Sequence, residues 1–263
     1  MKYYIITILL LVTALIISSC SSLESTSQPE EPLERFIPNF QYQPASEAVE
    51  IGSAGITVAL QRPAYQGLEN SNAGTSVKVN MTAEPFPQFS KGLEQAIDNI
   101  LLNKGMLVKG PYNQFEEIVY SEKREIDLYL VTDLELNANN SGLNVYQHED
   151  YNIFTNSSTY DYSVKGTMSF GGNIYMRMES AQGTLLWKKQ LPLEQASIQV
   201  ESEGLWNDAN TAANQFLNDT AIYNEVAKQL EKYYASSARL METYINAEEF
   251  NDLKKQLEAD EAI

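Results

Sequence analysis

The chain is poor in the residues that most chemistry needs. It has one cysteine and one histidine in 263 residues. A single cysteine excludes an internal disulfide framework and a zinc–thiolate site. A single histidine leaves His148 without a histidine partner for a metal or for acid–base work. It stands in the polar run Tyr146-Gln147-His148-Glu149-Asp150-Tyr151 and reads as exposed and inert. Cations are scarce: 18 Lys and Arg face 35 Asp and Glu, for a net charge of −17. That balance argues against nucleic acid and against anionic lipid head groups as partners. Gly-x-Ser-x-Gly, Gly-x-Gly-x-x-Gly, phosphate-loop and His-Glu-x-x-His motifs are all missing. Glu116-Glu117 and Glu201/Glu203 remain as carboxylate pairs, and they read as solvated acidic loops. Neither cofactor nor metal is expected, and the chain reads as non-enzymatic. No repeat of 20–50 residues is visible.

Long apolar runs are missing too, apart from one. It extends from Ile5 to Ile17 behind Lys2 and exits through Ile17-Ser18-Ser19-Cys20. The run is shorter than the ~20 residues a membrane-spanning helix needs. A charged start, an apolar centre and a small-residue exit describe a secretory signal over residues 1–19. The cysteine at the exit resembles the lipobox of bacterial lipoproteins. That resemblance implies cleavage before Cys20 and acyl chains on its thiol and new amino group. Several chains would hold the protein stably on a membrane, where one chain binds only marginally. Ser21 follows the cysteine in place of the inner-membrane aspartate of many such proteins, which leans towards the outer membrane. Residues 20–39 are polar, acidic and proline-bearing, and read as a flexible tether.

The folded part is expected from Phe40. Ile56-Thr57-Val58-Ala59-Leu60 reads as a core strand stopped by Arg62-Pro63. Residues 66–82 read as a loop, with a short strand at 77–81. Phe89, Leu93, Ile97, Ile100 and Leu101 make one apolar stripe at helical period, with Pro85 and Pro87 before it and Gly105 after it. A strand follows Gly105, and residues 126–136 alternate as a long strand. Residues 166–177 and 183–193 make a hairpin, with Trp187 in its core. Ser169-Phe170-Gly171-Gly172 reads as a bulge or kink. Ile222, Val226, Leu230 and Tyr233 mark a second helix capped by Asp219 or Thr220. Asn246 is a candidate break in that helix. The expected fold is an α+β domain over residues 40–245, with a mixed or antiparallel sheet and two main helices packed on one face. Residues 246–263 should add a C-terminal amphipathic helix.

What the chain does have in excess is tyrosine, sixteen in all. Tyr146, Tyr151, Phe154, Tyr160 and Tyr162 are interleaved with Asn139, Asn140, Asn144, Asn152, Asn156, Ser157 and Ser158. Aromatic faces beside amide donors suit a neutral glycan or a protein surface. A hairpin with its tyrosines packed on neighbours would carry the same residues.

Order and wording together resemble the neuraminyllactose-binding haemagglutinin lipoproteins. The likeness rests on Phe40-Gln41-Tyr42-Gln43-Pro44-Ala45-Ser46-Glu47-Ala48-Val49 and on Leu60-Gln61-Arg62-Pro63-Ala64-Tyr65-Gln66. It continues in the helix ending at Gly105 and in Ser121-Glu122-Lys123-Arg124-Glu125-Ile126-Asp127-Leu128-Tyr129. It covers residues 40–136 well, and 160–235 in pattern. The resemblance implies an outer-membrane or surface lipoprotein of adhesin type, with a glycan or protein ligand. Its alternative is an assembly or scaffold lipoprotein of the envelope or flagellar sheath. The family's lysine/arginine-rich segment is replaced here by Asn137-Ala138-Asn139-Asn140-Ser141-Gly142-Leu143-Asn144, with no basic residue. Sialic-acid binding is therefore not carried over.

Overall fold

The computed structural model describes residues 33–70, 77–202 and 206–261. Cys20, the leader and most of the expected tether lie outside them. The fold is α+β. A mixed sheet is covered on one face by two long helices, as the periodicities require. The strands are β1 (Thr57–Gln61), β2 (Ala64–Asn70), β3 (Leu107–Tyr112), β4 (Leu128–Asn152), β5 (Ser157–Glu179) and β6 (Leu185–Glu201). The helices are α1 (Phe86–Asn103), α2 (Tyr120–Lys123), α3 (Ala209–Gln215), α4 (Thr220–Tyr244) and α5 (Ala247–Glu261).

The strand order is β3-β1-β4-β5-β6. β1 pairs in parallel with β3 and with the start of β4. β2 then continues along the same edge of β4, as far as Asn70 opposite Asn139. β4, β5 and β6 are antiparallel. The reading of residues 66–82 as a loop is corrected by β2. Among the described residues β2 pairs only with β4 and so borders the sheet, and Gly67 lies where a Cβ would crowd Met81, so its residues carry no alternating signal. Residues 77–81 form no strand, yet Val77, Val79 and Met81 are all buried.

α1 buries Phe86, Phe89, Leu93, Ala96, Ile97, Ile100 and Leu101. It ends in a Schellman turn. Met106 N–H reaches Leu101 O at 3.1 Å, Gly105 N–H reaches Leu102 O at 3.0 Å, and Gly105 holds φ +77°. Asp219 caps α4 by accepting from Ala221 N at 3.0 Å and Ile222 N at 3.3 Å. α4 lays Ile222, Val226, Leu230, Tyr233 and Met241 on the core. At the β5/β6 bulge the Tyr233 hydroxyl lies 3.0 Å from Phe170 O and 2.5 Å from Glu194 O. Its single proton is thus shared between two carbonyls beside the bulge. Asn246 caps α5 through Glu248 N at 2.8 Å, and Phe250 of α5 meets Trp187 edge-on at 5.5 Å.

The chain leading into the fold is tied to α4 well before Phe40. Phe36 N–H donates to Asn224 Oδ1 at 2.6 Å, and Asn224 Nδ2 donates to Glu34 O at 2.9 Å. The Arg35 guanidinium sits 3.8 Å from the Tyr223 ring centre. Phe40 seats between Phe89 and Tyr234, at 5.8 and 5.5 Å between ring centres. Gly92 makes room for it, since a Cβ there would meet Phe40 Cβ at 2.5 Å. Glu242 anchors the next turn, accepting from Tyr42 Oη at 2.5 Å, Ser46 Oγ at 2.9 Å and Ser46 N at 3.1 Å.

Burial raises the Glu242 pKa, but the hydrogen bonds from Tyr42, Ser46 and Ala45 outweigh it and hold the carboxyl at about 2, against 4.5. A folded pKa below the unfolded one stabilises above pH 4.5, and that stability is lost as pH falls from 4.5 towards 2. Glu242→Gln should lower stability at neutral pH by about 1–2 kcal/mol and flatten the acid limb of the stability profile, read by urea titration at stepped pH. Gly172 holds φ +152°, and a Cβ there would run into Glu135 O of β4. Gly172→Ala should therefore cost more than about 1 kcal/mol in the same titration.

Candidate functional site

Two residues set the position of the site. At Gly142 and Gly166 the two central strands approach so closely that a Cβ on Gly166 would enter the Gly142 carbonyl. β4 carries one extra residue here, between Asn139 and Gly142. The bulge turns Asn140 inwards, where it is fully buried and its Nδ2 donates to Val77 O. Leu143 and Val164 are the last fully buried apolar pair on the ribbon. Beyond them β4 and β5 continue as a two-stranded arm, residues 146–162, which among the described residues is joined only by Trp206 at Tyr162.

Pairing fixes which side chains share a face. Gln147 opposes Tyr162, Glu149 opposes Tyr160 and Tyr151 opposes Ser158, all on the helix side. Tyr146 opposes Ser163, His148 opposes Asp161 and Asp150 opposes Thr159 on the other side. The five aromatic candidates are thus divided. Tyr151, Tyr160 and Tyr162 form a ladder on one face, Tyr146 lies on the reverse, and Phe154 is at the tip. Tyr146, Tyr151 and Tyr160 are about half exposed, and Phe154 is 92% exposed. Tyr162 departs from the set. It is partly buried at the arm's root, packs on the core and exchanges backbone hydrogen bonds with Trp206 at 2.8 and 2.9 Å.

The tip is built to hold its apolar residues outwards. Asn152 Oδ1 accepts from Phe154 N at 2.9 Å and Thr155 N at 3.3 Å, an Asx turn. Asn156 takes a positive φ of 49°, and its Oδ1 accepts from the Tyr151 hydroxyl at 2.7 Å. Ile153, 73% exposed, stands beside Phe154. Reading aromatics alone missed it. The available signal was an Ile-Phe pair set inside a run of Asn, Thr and Ser.

His148 is exposed, as the polar run around it implies, and its Nε2 lies 2.8 Å from Ser163 Oγ. A recess of about 460 Å³ lies at the root of the arm between His148, Asp161, Ser163, Lys165 and Ser202. Glu149 accepts from Ser158 Oγ at 2.6 Å. Glu116 and Glu117 are exposed on a one-turn helix, Glu201 pairs with Lys165 at 2.6 Å, and Glu203 lies outside the described residues. Among the described residues, no group of three or more acidic, histidine or cysteine side chains is placed to hold a metal. The face of the sheet turned away from the long helices is polar over the middle of β4, β5 and β6, while at its β1 end Ile118 and Ile126 pack there with Ala59 and Tyr129. A shallow groove of about 350 Å³ runs over Asn137, Asn139, Ser169, Gly171, Gly172 and Gln195. Gln195 donates to Ser169 Oγ at 3.0 Å beside it. Arg177 joins Asp133 and Glu179 on the same face.

No protein-family model matches the chain, and no curated protein does either. Solved structures do. A neuraminyllactose-binding haemagglutinin homologue from Helicobacter pylori aligns with a TM-score of 0.52 at 13% identity, over 82% of this chain and 98% of that one. The likeness at that identity is one of fold. A hypothetical protein from Chlamydia trachomatis aligns with a TM-score of 0.26 at 10% identity, over 71% of this chain and 97% of that one. That score carries no argument.

Residues at the arm's tip touch nothing that supports the core. Ile153→Ser with Phe154→Ser should leave the stability within about 0.5 kcal/mol of the parent, measured by thermal and urea unfolding. Trp187→Ala, which empties a site only 7% exposed against Phe250, should cost about 3–5 kcal/mol in the same assay.

Proposed function

We propose that this chain is a lipid-anchored binding protein of the cell envelope, non-enzymatic and of adhesin type. It is tethered to the outer membrane through acyl chains on Cys20, and it meets its ligand with the hairpin arm. The observation that supports this most is the arm's tip: Phe154, 92% exposed beside Ile153, in a turn held by the side chains of Asn152 and Asn156. A monomer gains no stability from apolar side chains held in water, so their use lies in contact. The fold shared with a haemagglutinin homologue supports the same reading. So does the lead sequence, with its apolar run ending at Cys20. A ligand meeting the arm finds aromatic faces and carboxylates, which suits a neutral glycan or a protein.

Two variants test this. Cys20→Ala should move the protein from the membrane pellet to the soluble fraction and remove the acyl mass from the native protein. An unmodified thiol at position 20, or a retained leader, would contradict the anchor. Tyr151→Ser, Phe154→Ser and Tyr160→Ser together should abolish photo-cross-links formed from position 153 in intact cells while leaving unfolding unchanged. Cross-links of parental yield from the triple variant, or none from the parent, would sink the assignment of the arm.

A further inference from the structure

The arm is a ribbon with an open side. The last described residue of β2, Asn70, pairs with Asn139, and among the described residues nothing pairs with that edge of β4 from Tyr146 to Asn152. Every second residue there turns its N–H and C=O away from β5. Proteins usually blunt such an edge with lysine, proline or a bulge. Residues 146–152 contain neither lysine nor proline, and their pairing with β5 is in register throughout. What the arm carries instead is negative charge. Glu149, Asp150 and Asp161 lie within residues 146–162, which hold no Lys or Arg. The ion pairs of the described residues lie elsewhere, the nearest being Lys165–Glu201 at the arm's root. A second copy of this chain brings the same carboxylates and a net charge of −17, so edge-to-edge self-pairing is opposed. A cationic strand meets the opposite situation.

We propose that the free edge of β4, residues 146–152, takes up an extended basic segment of a partner protein by strand addition. Backbone hydrogen bonds to the open edge supply the geometry. Glu149 and Asp150 on β4, with Asp161 across the ribbon, select lysine or arginine at alternate positions on either face. Tyr151 and Tyr160 cover the apolar residues between them on the helix side. The carboxylates thus serve twice, against copies of the chain and for the partner. This inference rests on the arm being the contact surface and names the partner it fits.

The test uses the purified full-length protein and a labelled, end-blocked peptide of about nine residues alternating lysine with valine and threonine. Fluorescence anisotropy should show binding, weakened about tenfold or more by Glu149→Gln, Asp150→Asn and Asp161→Asn together, and weakened by added salt. Methylating alternate backbone nitrogens of the peptide keeps its charge but blocks the ladder, and should abolish binding. A spin label on the peptide should broaden the amide signals of residues 146–152 before any others. No binding, equal binding of the methylated peptide, or broadening centred elsewhere would overturn the proposal. If cross-links from position 153 persist in cells alongside such a result, strand addition fails alone. If they vanish as well, the arm itself is the wrong surface.

Discussion

Two lengths that cannot match govern this molecule. β4 has 25 residues and α4 has 25 residues. A strand rises ~3.3 Å per residue and a helix 1.5 Å, so the same count gives ~80 Å of strand and ~37 Å of helix. α1, with 18 residues, is shorter still. Helices of this size cover about half of the central ribbon. The covered half carries the core, from Leu128 to Leu143 on β4 and from Val164 to Met178 on β5. The remainder must stand alone or find a partner. Two-stranded ribbons are only marginally stable in water, and this one is rooted by Tyr162 with Trp206 and closed by the Asn152 turn.

The covered half was largely legible in the sequence, because burial against a helix leaves a period. The stripe Phe89, Leu93, Ile97, Ile100 and Leu101 reads directly as α1, and Gly105 marks the turn that ends it. The alternation over residues 126–136 reads as the start of β4. The uncovered half leaves no such period. With both faces wet, Gln147, Glu149 and Tyr151 share a side without sharing a chemistry, so β4 could not be followed past Leu136. β2 was lost for the related reason that it borders the sheet on one side. Composition drew attention to Gly171-Gly172, but the extra residue of the β5/β6 bulge lies opposite them, on β6 between Leu193 and Ala196. The bulge between Asn139 and Gly142 was not legible, since its sign is a register shift rather than a residue type.

The candidate aromatics were legible as a set and not as a surface. Sequence spacing puts Tyr146 and Tyr151, five apart, on opposite faces of a strand, but cannot say which of them faces the helices, because that depends on the extra residue in the bulge. Nor can it say that Tyr162 belongs to the root. Pairing decides both. The charge pattern follows a similar logic. An excess of carboxylates that reads in the sequence only as a bar to nucleic acid and anionic lipid gains a place in the fold, along a ribbon edge that pairs with nothing among the described residues.

Amide hydrogen exchange along β4 and β5, on the purified protein without partner, tests the central claim most directly. If the ribbon outruns its cover, amides of residues 130–138 and 168–176 should exchange only through global unfolding. Those of residues 146–152 and 157–161 should exchange orders of magnitude faster through local opening, with the core still closed. Uniform slow exchange over the whole ribbon would mean that the arm is covered in the isolated protein, and the account would be wrong.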